Sequence, residues 1–151
     1  MALVKWAAPV SATAVAGASM NALADAAYAM GAAIDNTVTS NGYLYGDLDL
    51  VLSGSVTAGA NAPHVAVFLL PTLDGTNYPT PPGGTAGATP GTYLVGTMHA
   101  QPSAGFTVGI IRGIVLPPFS FRIAIQNSLG VAFPSGTGSL CRLYRYYEQA
   151  V

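Results

Sequence analysis

The chain has five Lys and Arg against six Asp and Glu in 151 residues, and none of them lies between Asp74 and Arg112. An average domain is about 25% charged, whereas this one is 7%. A fold built from such a sequence must make its surface from Gly, Ser, Thr, Asn and Ala. With a formal net charge of only −1, little like-charge repulsion keeps copies apart, so much of that surface is expected to be covered by partners. The alternative is a neutral secreted domain. The same scarcity argues against nucleic-acid binding, which needs clustered Lys and Arg to displace counterions from phosphates. Arg142 and Arg145 are the only basic grouping.

The length suits one domain with one core. Half of the residues are hydrophobic, yet no stretch of about 18 strongly apolar residues suggests a membrane-spanning helix. Lys5 followed by small apolar residues up to Ala22-Leu23-Ala24 resembles a secretory signal. Pro9, Ser11, Thr13, Ser19 and Asn21 interrupt that run, and the segment is read as structure. Cys141, the single cysteine, has no internal disulfide partner and is expected to be an ordinary strand residue.

Along the chain, residues 1–17 have no clear period and predict an extended arm that needs a neighbour. From Ser19, the residues Met20, Leu23, Ala27, Met30 and Ile34 fall at spacings of three and four. This predicts one helix over 18–35, with Ser19 as N-cap and Asp35-Asn36 as its stop. Its stripe is either a seam between subunits or a face packed on its own domain. After Asn41-Gly42 the pattern becomes β, predicting a β-sandwich domain over 42–151. In Tyr43 to Ser55, Leu44, Leu48, Leu50 and Leu52 share one face, while Tyr43, Tyr45, Asp47 and Asp49 share the other. His64 to Leu70 reads as a central strand ended by Pro71. Residues 71–91 hold five prolines and five glycines and predict a long loop, the first candidate for a contact surface. Further strands are expected at Thr92 to Met98, Phe106 to Val115, Phe119 to Gln126, Leu129 to Phe133 and Leu140 to Tyr147. Asn127-Ser128 with Gly130 would make a hairpin of the third and fourth of these. The expected fold is thus mainly β: a β-sandwich of about seven strands, with an N-terminal arm and one α-helix.

Groups for chemistry are few. His64 and His99 sit at strand ends, with no nucleophile or base beside them in sequence. Asp47 and Asp49 lie on one side of a strand, which suits either a cation or a solvated face. Asp74-Gly75-Thr76-Asn77 reads as a tight turn. No catalytic, cofactor or metal residues are expected. The tail from Leu140 to Glu148 has an interface composition, because Tyr and Arg combine area with hydrogen bonding. Met20, Leu23, Met30, Ile34, Tyr144, Arg145, Tyr146 and Tyr147 are the candidate partner-contact residues.

The segments NALADAAYAMGAAIDN, YGDLDLVL, VFLLPTLDGTNY, IRGIVLPPFSFRIAIQN and RLYRYYEQ, in that order over about residues 19–149, resemble a group of small tailed-bacteriophage virion proteins. The resemblance implies a non-enzymatic β-sandwich that decorates or cements a capsid. Its partner would be the major capsid protein or another virion protein, its assembly often a trimer, and its location the outer capsid surface or the tail. No catalytic residue or cofactor is carried over. The competing expectation is a receptor- or carbohydrate-binding module of a tail or spike, with Tyr78 and Tyr93 stacking on sugar rings.

Overall fold

Strict alternation between buried and half-exposed residues, the period of a strand with one dry face, governs the architecture. The computed structural model describes residues 4–6, 13–37, 42–59, 61–72, 74–79, 93–101, 105–146 and 148–150. They form β1 (Val4–Trp6), β2 (Thr13–Ala16), β3 (Tyr28–Met30), β4 (Tyr45–Thr57), β5 (His64–Pro71), β6 (Leu94–His99), β7 (Gly105–Val115), β8 (Phe121–Ser128), β9 (Leu140–Tyr146) and β10 (Glu148–Ala150). A single 3-10 turn spans Ala18–Met20. The first sheet has the order β2-β9-β4-β7, the second β3-β8-β5-β6, and β1 pairs with β10 alone. All pairings are antiparallel. The fold is therefore mainly β and sandwich-like.

The core lies between the two four-stranded sheets. Leu48, Leu50, Leu52, Cys141, Leu143, Phe106 and Ile114 from the first meet Val65, Val67, Leu69, Phe121, Ile123, Ile125 and Met98 from the second. Side chains of this size each contribute about 1.5–3 kcal/mol when fully buried. β5 is buried on both faces, because Ala66, Phe68 and Leu70 join Ala124 in a smaller cluster on the outer side, covered by Tyr28 and Tyr93. This explains the unbroken apolar run from Val65 to Leu70.

The helix expected over 18–35 is not formed. After the short turn at Ala18–Met20, the chain winds across one end of the sandwich and pairs with β8 through β3. Ala22 and Ala26 hold positive φ values of 54° and 62°, which no α-helix permits. The propensity that favours a helix here is at most about 0.7 kcal/mol per ordinary residue. Against it stands the open edge of β8, with which residues 26–34 exchange hydrogen bonds from Ala26 N–H to Asn127 O through to Ile34 and Phe121. Met20, Leu23 and Ile34 are buried in the domain's own core, so the three-and-four spacing records burial without a helix.

The N-terminal arm is only partly within the described residues. Thr13–Ala16 is extended, but it lies along β9 of its own chain; residues 1–3 and 7–12 fall outside. The strand expected at Leu129 to Phe133, and the hairpin leading to it, are also corrected. Leu129 and Phe133 are buried, but their segment is irregular. Asn127 is a strand residue facing inward. Its amide donates to the carbonyls of Leu23 and Val131 and accepts the Leu129 N–H. A second buried asparagine, Asn36, donates to the carbonyls of Tyr43 and Pro117 and accepts the Tyr43 N–H. Each amide satisfies backbone groups that no strand could pair.

Gly31 fixes how closely β2 passes over β3. A Cβ there would stand 1.6 Å from the Val15 carbonyl oxygen and 2.7 Å from its carbon, both backbone atoms with no room to yield. Gly31→Ala is therefore expected to destabilise by about 3 kcal/mol or more in denaturant unfolding. Ala26→Gly should do the reverse. An L-residue in the left-handed region is strained by about 1–2 kcal/mol, part of which glycine returns as unfolded-state entropy, so a net gain of about 0.5 kcal/mol is expected in the same assay.

Candidate functional site

The outer face of the first sheet brings together Tyr45, Tyr144 and Tyr146 with Asp47, Asp49 and Arg142. Register places Tyr146, Tyr45 and Val115 in one row across β9, β4 and β7. Tyr144 sits opposite Asp47, Arg142 opposite Asp49 and then Ile110, and Leu140 opposite Val51 and then Val108. The rows thus pass from stacked aromatics, through an ion-paired lattice, to an apolar end.

The lattice is tightly bonded. Arg142 grips Asp49 with two hydrogen bonds, Nε to Oδ1 at 3.1 Å and a terminal nitrogen to Oδ2 at 2.6 Å, the bidentate geometry that favours Arg over Lys. Tyr146 donates to Asp47 Oδ1 at 3.1 Å, and the Tyr45 and Tyr146 rings stack at 5.9 Å. Burial, and then the Asp47 hydrogen bond, hold the Tyr146 hydroxyl above its ordinary pKa. The Arg142 guanidinium is held more firmly charged by its hydrogen bond to Asp49.

β7 is an edge of this sheet. Between Gly46 and Leu48 its register slips by one residue, so Arg112 and Gly113 both oppose Asp47. Gly113 adopts φ +67° and donates its N–H to Asp47 Oδ1 at 2.9 Å. This is a bulge with glycine in the left-handed region. On either side of it, Val108, Ile110 and Val115 are 54%, 53% and 71% exposed. Val115 also borders an open apolar groove of about 430 Å³ at the end of the sandwich, lined among others by Leu94, Val95, Pro117 and Pro118. The expected contact residues did not include this stripe. Its signal was available in the alternation of Val108, Ile110 and the Val115-Leu116-Pro117-Pro118 run, which marks a strand without telling which side is dry.

The expected contact residues divide. Tyr144 and Tyr146 lie on the outer face. Arg145 points the other way, its guanidinium over the Tyr43 ring at 4.9 Å and donating to the Asp35 carbonyl at 2.9 Å. Tyr147 lies outside the described residues. Met20, Leu23 and Ile34 are core residues and present no surface, because the segment that carries them is folded onto the sandwich end. Only Met30 of that stripe is exposed, at 38%, with its sulfur 3.6 Å from an Arg122 nitrogen.

The remaining candidates are placed as follows. Tyr78 lies under the Arg122 guanidinium at 4.4 Å, and Tyr93 packs on the small outer cluster, so both rings have partners within the chain. Residues 80–91 of the expected loop lie outside the described residues. Asp74 caps its turn, accepting the N–H groups of Asn77 and Thr76 and the Thr72 hydroxyl. Those bonds, Asn77's foremost, hold its carboxyl well below the usual range. Cys141 is buried, and burial, reinforced by Asp49, pushes its thiol up, which leaves little thiolate for chemistry. His64 and His99 are brought directly opposite one another on β5 and β6. Among the described residues, no three His, Cys, Asp or Glu side chains are grouped as metal ligands, and no helix is long and apolar enough to cross a membrane.

Comparison with protein-family models, curated proteins and solved structures gives no match to this chain.

Asp47 supports both the Gly113 bulge and the Tyr146 hydroxyl. Asp47→Ala is expected to lower stability by about 1–3 kcal/mol, two hydrogen bonds at roughly 0.5–1.5 kcal/mol each, with the loss read as a lower denaturant midpoint at unchanged m-value.

Proposed function

We propose that the chain is a non-enzymatic structural protein that packs against neighbouring protein subunits through the outer face of its first sheet and the edge strand β7. The observation that carries this reading is the exposure of Val108 and Ile110, and of Val115 beyond the Arg112–Gly113 bulge, along one long edge strand, beside a lattice of Tyr and Arg. Solvent-facing apolar side chains gathered on one strand mark contact sites more often than scattered ones do. Tyr and Arg are the residues that interfaces enrich. The low overall charge points the same way, since it leaves copies little repulsion at close range.

The specific form of the proposal is a decoration protein on the outer surface of a tailed-phage capsid. It would bridge major-capsid subunits and assemble as a homo-oligomer, for which a trimer is the expected state. That form rests on the sequence resemblance over residues 19–149; the sheet face supplies the contact chemistry it needs. A lattice multiplies modest contacts, so each copy can hold weakly while the shell is reinforced strongly.

The test is electron microscopy of virions reconstituted with the wild-type chain and with Ile110→Lys. The wild type is expected at symmetric positions on the shell. The variant, whose lysine would be desolvated in the contact, is expected to lose at least tenfold in occupancy while its unfolding temperature stays within a few degrees. Full occupancy by Ile110→Lys would remove β7 from the contact. Density confined to the tail would transfer the chain to the receptor-binding class.

A further inference from the structure

His64 and His99 are the only histidines in the chain, and the fold places them face to face at the start of β5 and the end of β6. The Ala100 N–H donates to the Pro63 carbonyl just outside them. That bond makes His64 and His99 a non-hydrogen-bonded pair, the kind whose side chains approach most closely across an antiparallel ladder. Their ring centres are 6.0 Å apart.

Each ring has one nitrogen held by an oxygen. His64 Nδ1 lies 2.9 Å from the Ala62 carbonyl, to which it can only donate, so the ring is the Nδ1–H tautomer with a lone pair on Nε2. His99 Nε2 lies 2.8 Å from the Thr97 hydroxyl; when it donates there, Nδ1 carries the lone pair. This is the arrangement seen around metal-bound imidazoles, whose far nitrogen donates to a carbonyl or other oxygen that fixes tautomer and orientation. With metal–nitrogen bonds of about 2.0–2.1 Å and each nitrogen about 1.1 Å from its ring centre, two imidazoles on one ion have centres up to about 6.4 Å apart. That is the linear limit, and a tetrahedral ligand angle brings the centres to about 5.2 Å, so the rings turn toward each other by somewhat under 1 Å from the observed 6.0 Å to take the ion.

The geometry points to a two-imidazole site for a borderline divalent metal ion, formed by His64 Nε2 and His99 Nδ1, with Thr97 and Ala62 as the groups that orient the rings. Imidazole ligands suit Zn²⁺, Ni²⁺ and Cu²⁺, and Cu²⁺ binds tightest by the usual order. His99 is exposed and His64 partly so, which leaves the other coordination positions to water. The ion ties β5 to β6 at the sandwich end and stabilises the folded state by mass action. This site is independent of the assembly role proposed above and lies on the other sheet.

The test titrates the full chain with Cu²⁺ and with Zn²⁺, following calorimetric stoichiometry, unfolding temperature and, for Cu²⁺, the nitrogen hyperfine pattern in electron paramagnetic resonance. Expected are one ion per chain, a rise in unfolding temperature that saturates with metal, and coupling to two nitrogens. His64→Gln and His99→Gln should each weaken binding at least tenfold and reduce the pattern to one nitrogen, and Thr97→Val should weaken it severalfold. Circular dichroism without metal checks that the variants remain folded. Wild-type binding no tighter than that of the double variant, or copper signals unchanged by either histidine substitution, would overturn the site.

Discussion

Open strand edges are the constraint on which this structure depends. Without its N-terminal segment the chain would hold two three-stranded sheets, ending on β9 in one and β8 in the other. Each would present a row of unpaired backbone groups, a template for wrong pairing. Residues 13–30 close both. β2 covers β9, the chain turns through Ala18–Met20, and β3 covers β8. The covering strands are only four and three residues long, and short edges are a common protection against further addition. The eleven-residue β7 is the exception, and it is the strand that carries the exposed valines and isoleucine.

Much of the β-rich region could be read from its residues. The alternation in β4, the two-sided burial of β5 and the turn at Asp74 follow from period and turn chemistry, which are local. The N-terminal third could not be read this way, because the edges it covers come from strands distant in sequence. An apolar spacing of three and four fits a helix, and it equally fits a winding segment whose backbone bonds to β8. Asn127 misled for a related reason. A turn-forming residue and a buried amide clamp look alike in sequence, and only the carbonyls of Leu23 and Val131 distinguish them. At the candidate site, Tyr144 and Tyr146 were legible by composition. Val108, Ile110 and Val115 were legible only as strand residues, because exposure is a property of what the neighbours leave uncovered.

The few charges are used to hold backbone rather than to solvate the surface. Asp25 accepts the Gly130 N–H, Asp35 that of Thr37, Asp47 that of Gly113, and Asp74 those of Thr76 and Asn77. Arg145 returns a hydrogen bond to the Asp35 carbonyl. A carboxylate fixed in this way stabilises a turn or bulge through charge-assisted bonds. With eleven charged residues and a net charge of −1, what the surface recognises is chosen by shape, aromatic area and apolar fit more than by long-range steering.

The pairing of β2 with β9, and of β1 with β10, has a consequence for how the fold is reached. Thr13 meets Leu143, and Val4 meets Ala150, so strands near the beginning of the sequence wait for strands near its end. Contacts of such long sequence separation slow folding. Until β9 has emerged from the ribosome, β2 has no partner and the first sheet has no complete edge. Residues 13–30 therefore stay without their strand partners until β8 and β9 have been made, a stretch in which a holding chaperone would have its greatest effect on yield.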